Sequence, residues 1–203
     1  MSYAIKEIFL TAQGEGANMG RTAVFIRFAG CNLWSGREQD RAEAVCRFCD
    51  TDFVGGTRHD ANELVEMAVQ LFPGTRHRFC VLTGGEPLLQ VDAKLVDALH
   101  QAGFFIAVET NGTQALPCKL DWVCVSPKAD APLVLQKADE LKLVYPQTID
   151  PAALAGFQAA HRWLSPMDAP GRTESNTAAA SAYCLAHPEW RLGIQAHKAW
   201  GVR

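Results

Sequence analysis

Short apolar runs that each end in a small polar cluster constrain this chain more than any other pattern. Thr22 to Phe28 runs toward Cys31, and Phe79 to Leu82 into Thr83-Gly84-Gly85-Glu86. Phe104 to Val108 runs into Glu109-Thr110-Asn111-Gly112, and Trp122 to Val125 into Ser126-Pro127-Lys128. Arg162-Trp163-Leu164 runs into Ser165-Pro166-Met167-Asp168. Apolar runs of this length read as buried strands. Amphipathic segments lie between them. Ala61 to Phe72 places Leu64, Val65, Ala68, Leu71 and Phe72 on one helical face, with Asp60 or Asn62 to cap it and Pro73-Gly74 to end it. Asp92 to Ala102 turns Leu95, Val96 and Leu99 inward, with Gly103 at a C-cap position.

Further along, Leu141 to Val144 reads as a strand and the segment from Pro151 to Ala160 as a short helix. Asn176 to His187 reads as a helix capped by Ser175 or Asn176, and Trp190 to Ile194 as a closing strand. This alternation predicts an α/β fold with a mainly parallel sheet. Polar clusters at corresponding strand ends are where barrels and open α/β sheets carry their sites. Several connections are too short for full helices, especially between Asn111 and Val123. The expectation is an incomplete, partial TIM-type barrel in one domain spanning residues 1–203.

Charge and targeting signals narrow the function classes. The net charge is −3, with no sustained basic run, which argues against nucleic-acid or membrane-surface binding. The N-terminus lacks a basic-then-apolar signal layout, and no apolar stretch approaches the roughly 20 residues of a bilayer span. A cytoplasmic protein is expected. In that reducing compartment, seven cysteines read as ligands or buried residues rather than a disulfide framework.

Three of those cysteines cluster: Cys31, then Cys46-Arg47-Phe48-Cys49, with Asp50-Thr51 directly after. Structural zinc sites normally take four ligands, and no second Cys-x-x-Cys is present. Soft thiolates suit an iron–sulfur cluster, and three of them leave one iron open to an outside ligand. Zinc, a cluster and ordinary burial are the readings the thiols allow on their own. Thr83-Gly84-Gly85-Glu86-Pro87 likewise reads either as a turn before a helix, with Pro87 near its start, or as backbone shaped for close approach to a ligand. Asp50-Thr51 alone would serve as a turn or helix cap, and Glu109 as a satisfied core carboxylate. Arg27 on an apolar strand is costly for a purely structural role and can pair with a carboxylate in fork geometry.

Cys-x-aromatic-Cys after a strand-end cysteine, followed by Gly-Gly-Glu-Pro, resembles the radical S-adenosylmethionine (SAM) superfamily. The fourteen residues between Cys31 and Cys46 depart from the usual three. A gap of that size is found in some 7-carboxy-7-deazaguanine synthases, and residues 32–45 then form an insertion in the cluster loop, folded as a short charged helix over the site. Gln13-Gly14-Glu15-Gly16, Arg27 to Leu33, Cys49-Asp50-Thr51, Glu109 to Gly112, Ser126 to Lys128 and Ser165 to Asp168 extend the resemblance over residues 13–168.

That resemblance implies a lyase acting on 6-carboxy-5,6,7,8-tetrahydropterin. A 5′-deoxyadenosyl radical made from SAM abstracts hydrogen from C6, the ring contracts, ammonia is lost and SAM is regenerated. It implies a 4Fe–4S cluster on Cys31, Cys46 and Cys49, and Mg²⁺ at Thr51. SAM is implied at Phe48, Asp50, Gly85, Ser126, Pro127, Lys128, Ser165, Pro166, Met167 and Asp168, with Gly84, Glu86, Glu109 and Asn111 assisting. Substrate is implied at Gln13, Gly14, Glu15, Arg27, Thr83 and the C-terminal Arg203. A homodimer and a small electron donor, a flavodoxin or ferredoxin, complete the implied set. Rival readings are another radical SAM enzyme, such as a glycyl-radical activating enzyme, and a zinc-stabilised binding module.

Overall fold

The computed structural model describes residues 2–202. It contains strands β1 (Tyr3–Ala12), β2 (Thr22–Phe28), β3 (Thr57–His59), β4 (Phe79–Gly84) and β5 (Phe105–Thr110). These are followed by β6 (Trp122–Val125), β7 (Lys137–Tyr145), β8 (Gln158–Pro166) and β9 (Arg191–Leu192). The helices are α1 (Ala61–Leu71), α2 (Ala93–Gln101), α3 (Thr173–Ala186) and α4 (Ala196–Trp200). All nine strands join one sheet in the order β3-β1-β2-β4-β5-β6-β7-β8-β9. From β2 to β9 every neighbouring pair is parallel, whereas β1 is antiparallel to both β2 and β3. The protein is thus a mixed α/β fold with a large, mostly parallel sheet.

Strand alternation sorts the residues onto two faces. Val24, Ile26, Phe28, Cys80, Leu82, Ile106, Val108, Val125, Leu141, Leu143 and Leu164 pack with Leu64 of α1, Leu95 and Leu99 of α2 and Ala180 of α3 in the main core. Each large side chain buried there contributes about 1.5–3 kcal/mol of transfer free energy. The opposite face begins with a smaller cluster of Ala23, Phe79, Val81 and Ala107. Arg21 lies 4.0 Å above the Phe79 ring there. Toward the carboxyl ends this second face turns polar, with Arg27, Thr83, Glu109 and Lys142.

The sheet is curled. Glu15, just past β1, reaches Lys142 on β7 at 2.6 Å, although β2, β4, β5 and β6 stand between those strands. Five strand spacings in a flat sheet amount to roughly 24 Å. The polar face is therefore concave, and it gathers strand ends that a flat sheet would keep apart.

Most expected elements are present, and α1 carries a full capping box between Asp60 and Glu63. The differences have local causes. β1 escapes a period-2 reading because a bulge between Ile5 and Glu7 swaps its faces, so Tyr3 and Ile5 face the core before it and Ile8 after it. The helix expected from Pro151 to Ala160 is only a 3₁₀ turn over Pro151–Leu154, and β8 begins at Gln158. Arg162 takes the carbonyls of Leu154 and Phe157, which ends the turn. α3 starts at Thr173 rather than at Asn176, whose amide is inside the helix and donates to the Met167 carbonyl at 2.8 Å. The closing strand shrinks to Arg191–Leu192, and α4 follows where no helix was expected. In the 32–45 segment the charged helix is a 3₁₀ helix over Glu38–Glu43.

Candidate active site

The concave face opens into a cleft of about 660 Å³ at the carboxyl ends of the parallel strands. The loop after β2 supplies Cys31, Cys46, Phe48, Cys49, Asp50 and Thr51. Strand positions supply Arg27, Thr83, Glu109 and Lys142, and strand ends supply Gly85, Ser126, Lys128 and Ser165 to Asp168. Gln13, Gly14 and Glu15 form one rim, and Gln195, His197 and Lys198 another. Three expected residues, Pro127, Glu86 and Arg203, are not among them. Pro127 is buried, and its carbonyl accepts from Gln147 while its neighbours Ser126 and Lys128 face the cleft, because successive residues at a strand end point opposite ways. Arg203 lies outside the described residues.

The three thiols line this one cleft, backed by the apolar cluster of Trp34, Ala44 and Phe53. Trp34 and Phe53 meet edge to face at 5.6 Å. A hydrogen bond from Cys46 draws the Cys49 thiol down to about 6, against the effect of burial. The same bond, and then burial, push Cys46 up. Cys31 is pushed up by burial. Arg41, from the 32–45 segment, lies 4.2 Å over Trp34 and donates to the Arg47 and Cys49 carbonyls at 2.8 and 3.0 Å. The 32–45 segment thus clamps the Cys-x-x-Cys turn. Among the described residues, no group of three His, Cys, Asp or Glu side chains converges tightly enough for a single metal ion. A polynuclear cluster presents separate irons to separate thiolates, so three soft thiols around an apolar-backed cleft fit that group better than one tetrahedral zinc.

The Gly-Gly-Glu-Pro loop lies directly against the first cysteine. A Cβ on Gly85 would fall 2.1 Å from the Gly30 carbonyl oxygen and 2.8 Å from the Cys31 Cβ. One on Gly84, whose φ is +144°, would fall 2.3 Å from the Phe28 carbonyl oxygen. The close approach that needs glycine is therefore first an approach of the chain to itself. Glu86 turns away from the cleft. It is fully buried and accepts from Leu88 N, Thr110 Oγ1 and Asn111 N at 2.8–2.9 Å, which ties the β4 and β5 ends together. The expectation that it assists in holding SAM gives way to the role of a buried staple. Asn111 is similarly engaged, donating to Asn32 Oδ1 at 3.1 Å.

The opposite wall is ionic. Lys142 donates to Glu15 at 2.6 Å and to Glu109 at 2.8 Å. Glu15 also accepts from Gln195 at 3.0 Å, and Gln13 reaches Glu109 at 3.4 Å. Burial raises the Glu15 pKa, but the Lys142 charge and its hydrogen bonds overcome that and hold it at about 2. Glu140 accepts from Ala17 N at 2.8 Å, and it stands where any side chain on Gly16 would go. Arg27 gives its Nε to Glu7 at 2.8 Å while lining the cleft, and its strand partner in register is Thr83. Lys198 of α4 bridges Asp168 and, at 3.9 Å, Asp50. Lys142, Gln195, His197 and Lys198 are site residues that the sequence reading missed. Only Lys142 left a signal there, as a charge inside the apolar run Leu141 to Val144.

Comparison with known proteins gives the same direction. No protein-family model matches the chain. It is 58% identical over its whole length to the whole of the 7-carboxy-7-deazaguanine synthase of Bradyrhizobium diazoefficiens. It is 58% identical to that of Burkholderia multivorans over 98% of both chains. The synthase of Bacteroides thetaiotaomicron is 39% identical over the full length of both. Among solved structures, QueE from Escherichia coli superposes with a TM-score of 0.73 at 26% identity, covering 97% of this chain and 95% of that one. The chain belongs to the 7-carboxy-7-deazaguanine synthase family.

Proposed function

We propose that this chain converts 6-carboxy-5,6,7,8-tetrahydropterin to 7-carboxy-7-deazaguanine with loss of ammonia, as a radical SAM lyase of queuosine and related 7-deazapurine biosynthesis. The observation that carries this reading is the convergence of three thiols, Arg27 and a carboxylate wall on one cleft. When bound, the reduced 4Fe–4S cluster and SAM supply a carbon radical that takes hydrogen from the substrate's C6. Cys31, Cys46 and Cys49 would hold the cluster. Phe48, Asp50, Gly85, Ser126, Lys128, Ser165, Pro166, Met167 and Asp168 line the space SAM would take. Arg27 would receive the substrate carboxylate as a fork, with Gln13, Gly14, Glu15 and Thr83 against the ring. Trp34, Phe53 and Phe48 exclude water on the thiol side.

Thr51, on the cleft wall next to the cysteine turn, supports Mg²⁺ held jointly with substrate oxygens, since Mg²⁺ takes hard oxygen ligands and keeps several waters. Thr51→Ala is expected to blunt the magnesium response of turnover; an unchanged response removes it from the metal site. The same reading takes the chain as one radical SAM core with an insertion at 32–45, its curled sheet a partial barrel. Its remaining elements, a homodimer reduced by a flavodoxin or ferredoxin, rest on the family resemblance. Among the described residues no helix is long and apolar enough to cross a membrane.

The test is anaerobic reconstitution followed by turnover with SAM, reductant and the carboxypterin. Iron and sulfide in cluster ratio, with release of the deazaguanine product, are expected. Bound zinc without iron, or 5′-deoxyadenosine without that product, would overturn the reading.

A further inference from the structure

Lys142 sits on β7 between Leu141 and Leu143, both wholly buried in the main core on the other face. Its own side chain, 12% exposed, ends on Glu15 and Glu109, which lie 127 and 33 residues away in sequence. Glu140 on the same strand faces this side, but it is engaged by Ala17 N and by the Cys124 thiol of β6 at 3.6 Å. His197 from α4 acts on Glu15, and Lys128 beyond β6 faces Lys142. One ammonium therefore serves two cleft-facing carboxylates, and the trio carries one net negative charge (two carboxylates, one ammonium).

A buried carboxylate without a partner takes up a proton. The change matters chemically, because an ionised carboxylate only accepts hydrogen bonds whereas a protonated one also donates. Whatever fixes the charge of Glu15 and the placement of Glu109 fixes what this wall asks of a ligand.

We propose that Lys142 is a positioning residue for substrate selection: by pairing with Glu15 and Glu109 at once, it holds both carboxylates in place and keeps that wall of the cleft acceptor-only, matched to a ring edge rich in N–H donors such as a reduced pterin. The inference deepens the proposed function and rests on it. Lys142 acts through the two carboxylates rather than on a reacting atom.

The test compares wild type and Lys142→Met, both anaerobically reconstituted, by calorimetric titration with 6-carboxy-5,6,7,8-tetrahydropterin in the absence of reductant. Binding is expected to weaken at least about tenfold, the equivalent of one charge-assisted hydrogen bond. Iron content should be unchanged. The acid limb of kcat/KM should move to higher pH by about one unit or more, because burial raises the pKa of a carboxylate that has lost its cation. The double variant Lys142→Met/Glu109→Gln removes one of the two carboxylates left without the ammonium, so it should regain part of the lost thermal stability without regaining affinity. Wild-type affinity and pH limb in Lys142→Met would overturn the inference. So would affinity that returns together with stability in the double variant, since Lys142 would then be a structural counter-ion only. Wild-type enzyme that binds the pterin but releases no deazaguanine would instead sink the proposed reaction, leaving the binding comparison to judge Lys142.

Discussion

The two walls of the cleft are built by opposite strategies. The thiol wall comes from one loop after β2, apolar-backed and clamped by Arg41 from within the same loop. The ionic wall is assembled from Glu15, Glu109, Lys142 and Gln195, on four separate segments joined by hydrogen bonds spanning up to 180 residues. A local wall tolerates changes in strand register elsewhere, because its spacing is set by the loop. A dispersed wall exists only while the sheet keeps its curl. The first suits a group that must be held by fixed ligands, the second a ligand recognised by its whole outline.

The strongest way to break this contrast is at the thiols. Replacing Cys31, Cys46 or Cys49 by Ala is expected to abolish iron loading and turnover outright, whereas Cys80→Ala, Cys118→Ala, Cys124→Ala and Cys184→Ala should keep their iron. Iron assay and visible absorbance decide it, and equal loss at Cys124 would mean that the ligand set crosses onto the ionic wall.

On the ionic wall, acid is the probe. Glu15 titrates at about 2 in the fold against an ordinary 4.5. Its contribution is complete above about pH 4.5 and is lost as pH falls through about 2, a change of roughly 3 kcal/mol. Denaturation curves across that window should show the loss in wild type and a flatter profile in Glu15→Gln. Identical slopes would show that the Lys142 pairing adds nothing to stability.

Gly85→Ala tests where the thiol wall meets the sheet. Its Cβ would strike the Gly30 backbone, and backbone cannot swing aside as a side chain can. A cost of about 1–3 kcal/mol, with impaired cluster assembly, is expected from thermal melts and iron content. Wild-type values for both would mean the β2 and β4 ends are looser than they look. The smallest effect belongs to Lys198→Ala. Its pairs with Asp168 and Asp50 are well exposed and screened, so stability should change by less than about 1 kcal/mol. A large change would make α4 a structural part of the ionic wall rather than its cover.

Much of this was legible before the fold. The parallel strands announced themselves because both faces of a central strand are buried, as in Phe79 to Leu82, and such runs stand out from their turns. β1 stayed hidden because one bulge cancels a period-2 signal. Glu86 was misjudged because its motif is shared by turns and ligand loops, and only the positions of Thr110 and Asn111 show that its three hydrogen bonds are internal. Lys142 left the same signal as Arg27, a charge in an apolar strand, yet a lone lysine does not reveal which carboxylates it serves.

By itself the sequence determined the α/β alternation, the cysteine loop with Asp50-Thr51 beside it, and the glycine pair at the end of an apolar strand. Those properties depend on periods and spacings of a few residues, which the chain carries wherever it goes. Tertiary structure alone decided that Glu15 meets Lys142 and that Gln195 closes over them. Those depend on the curl of a nine-stranded sheet. That curl is a property of all the strand twists and packed helices together, written at no single place in the chain.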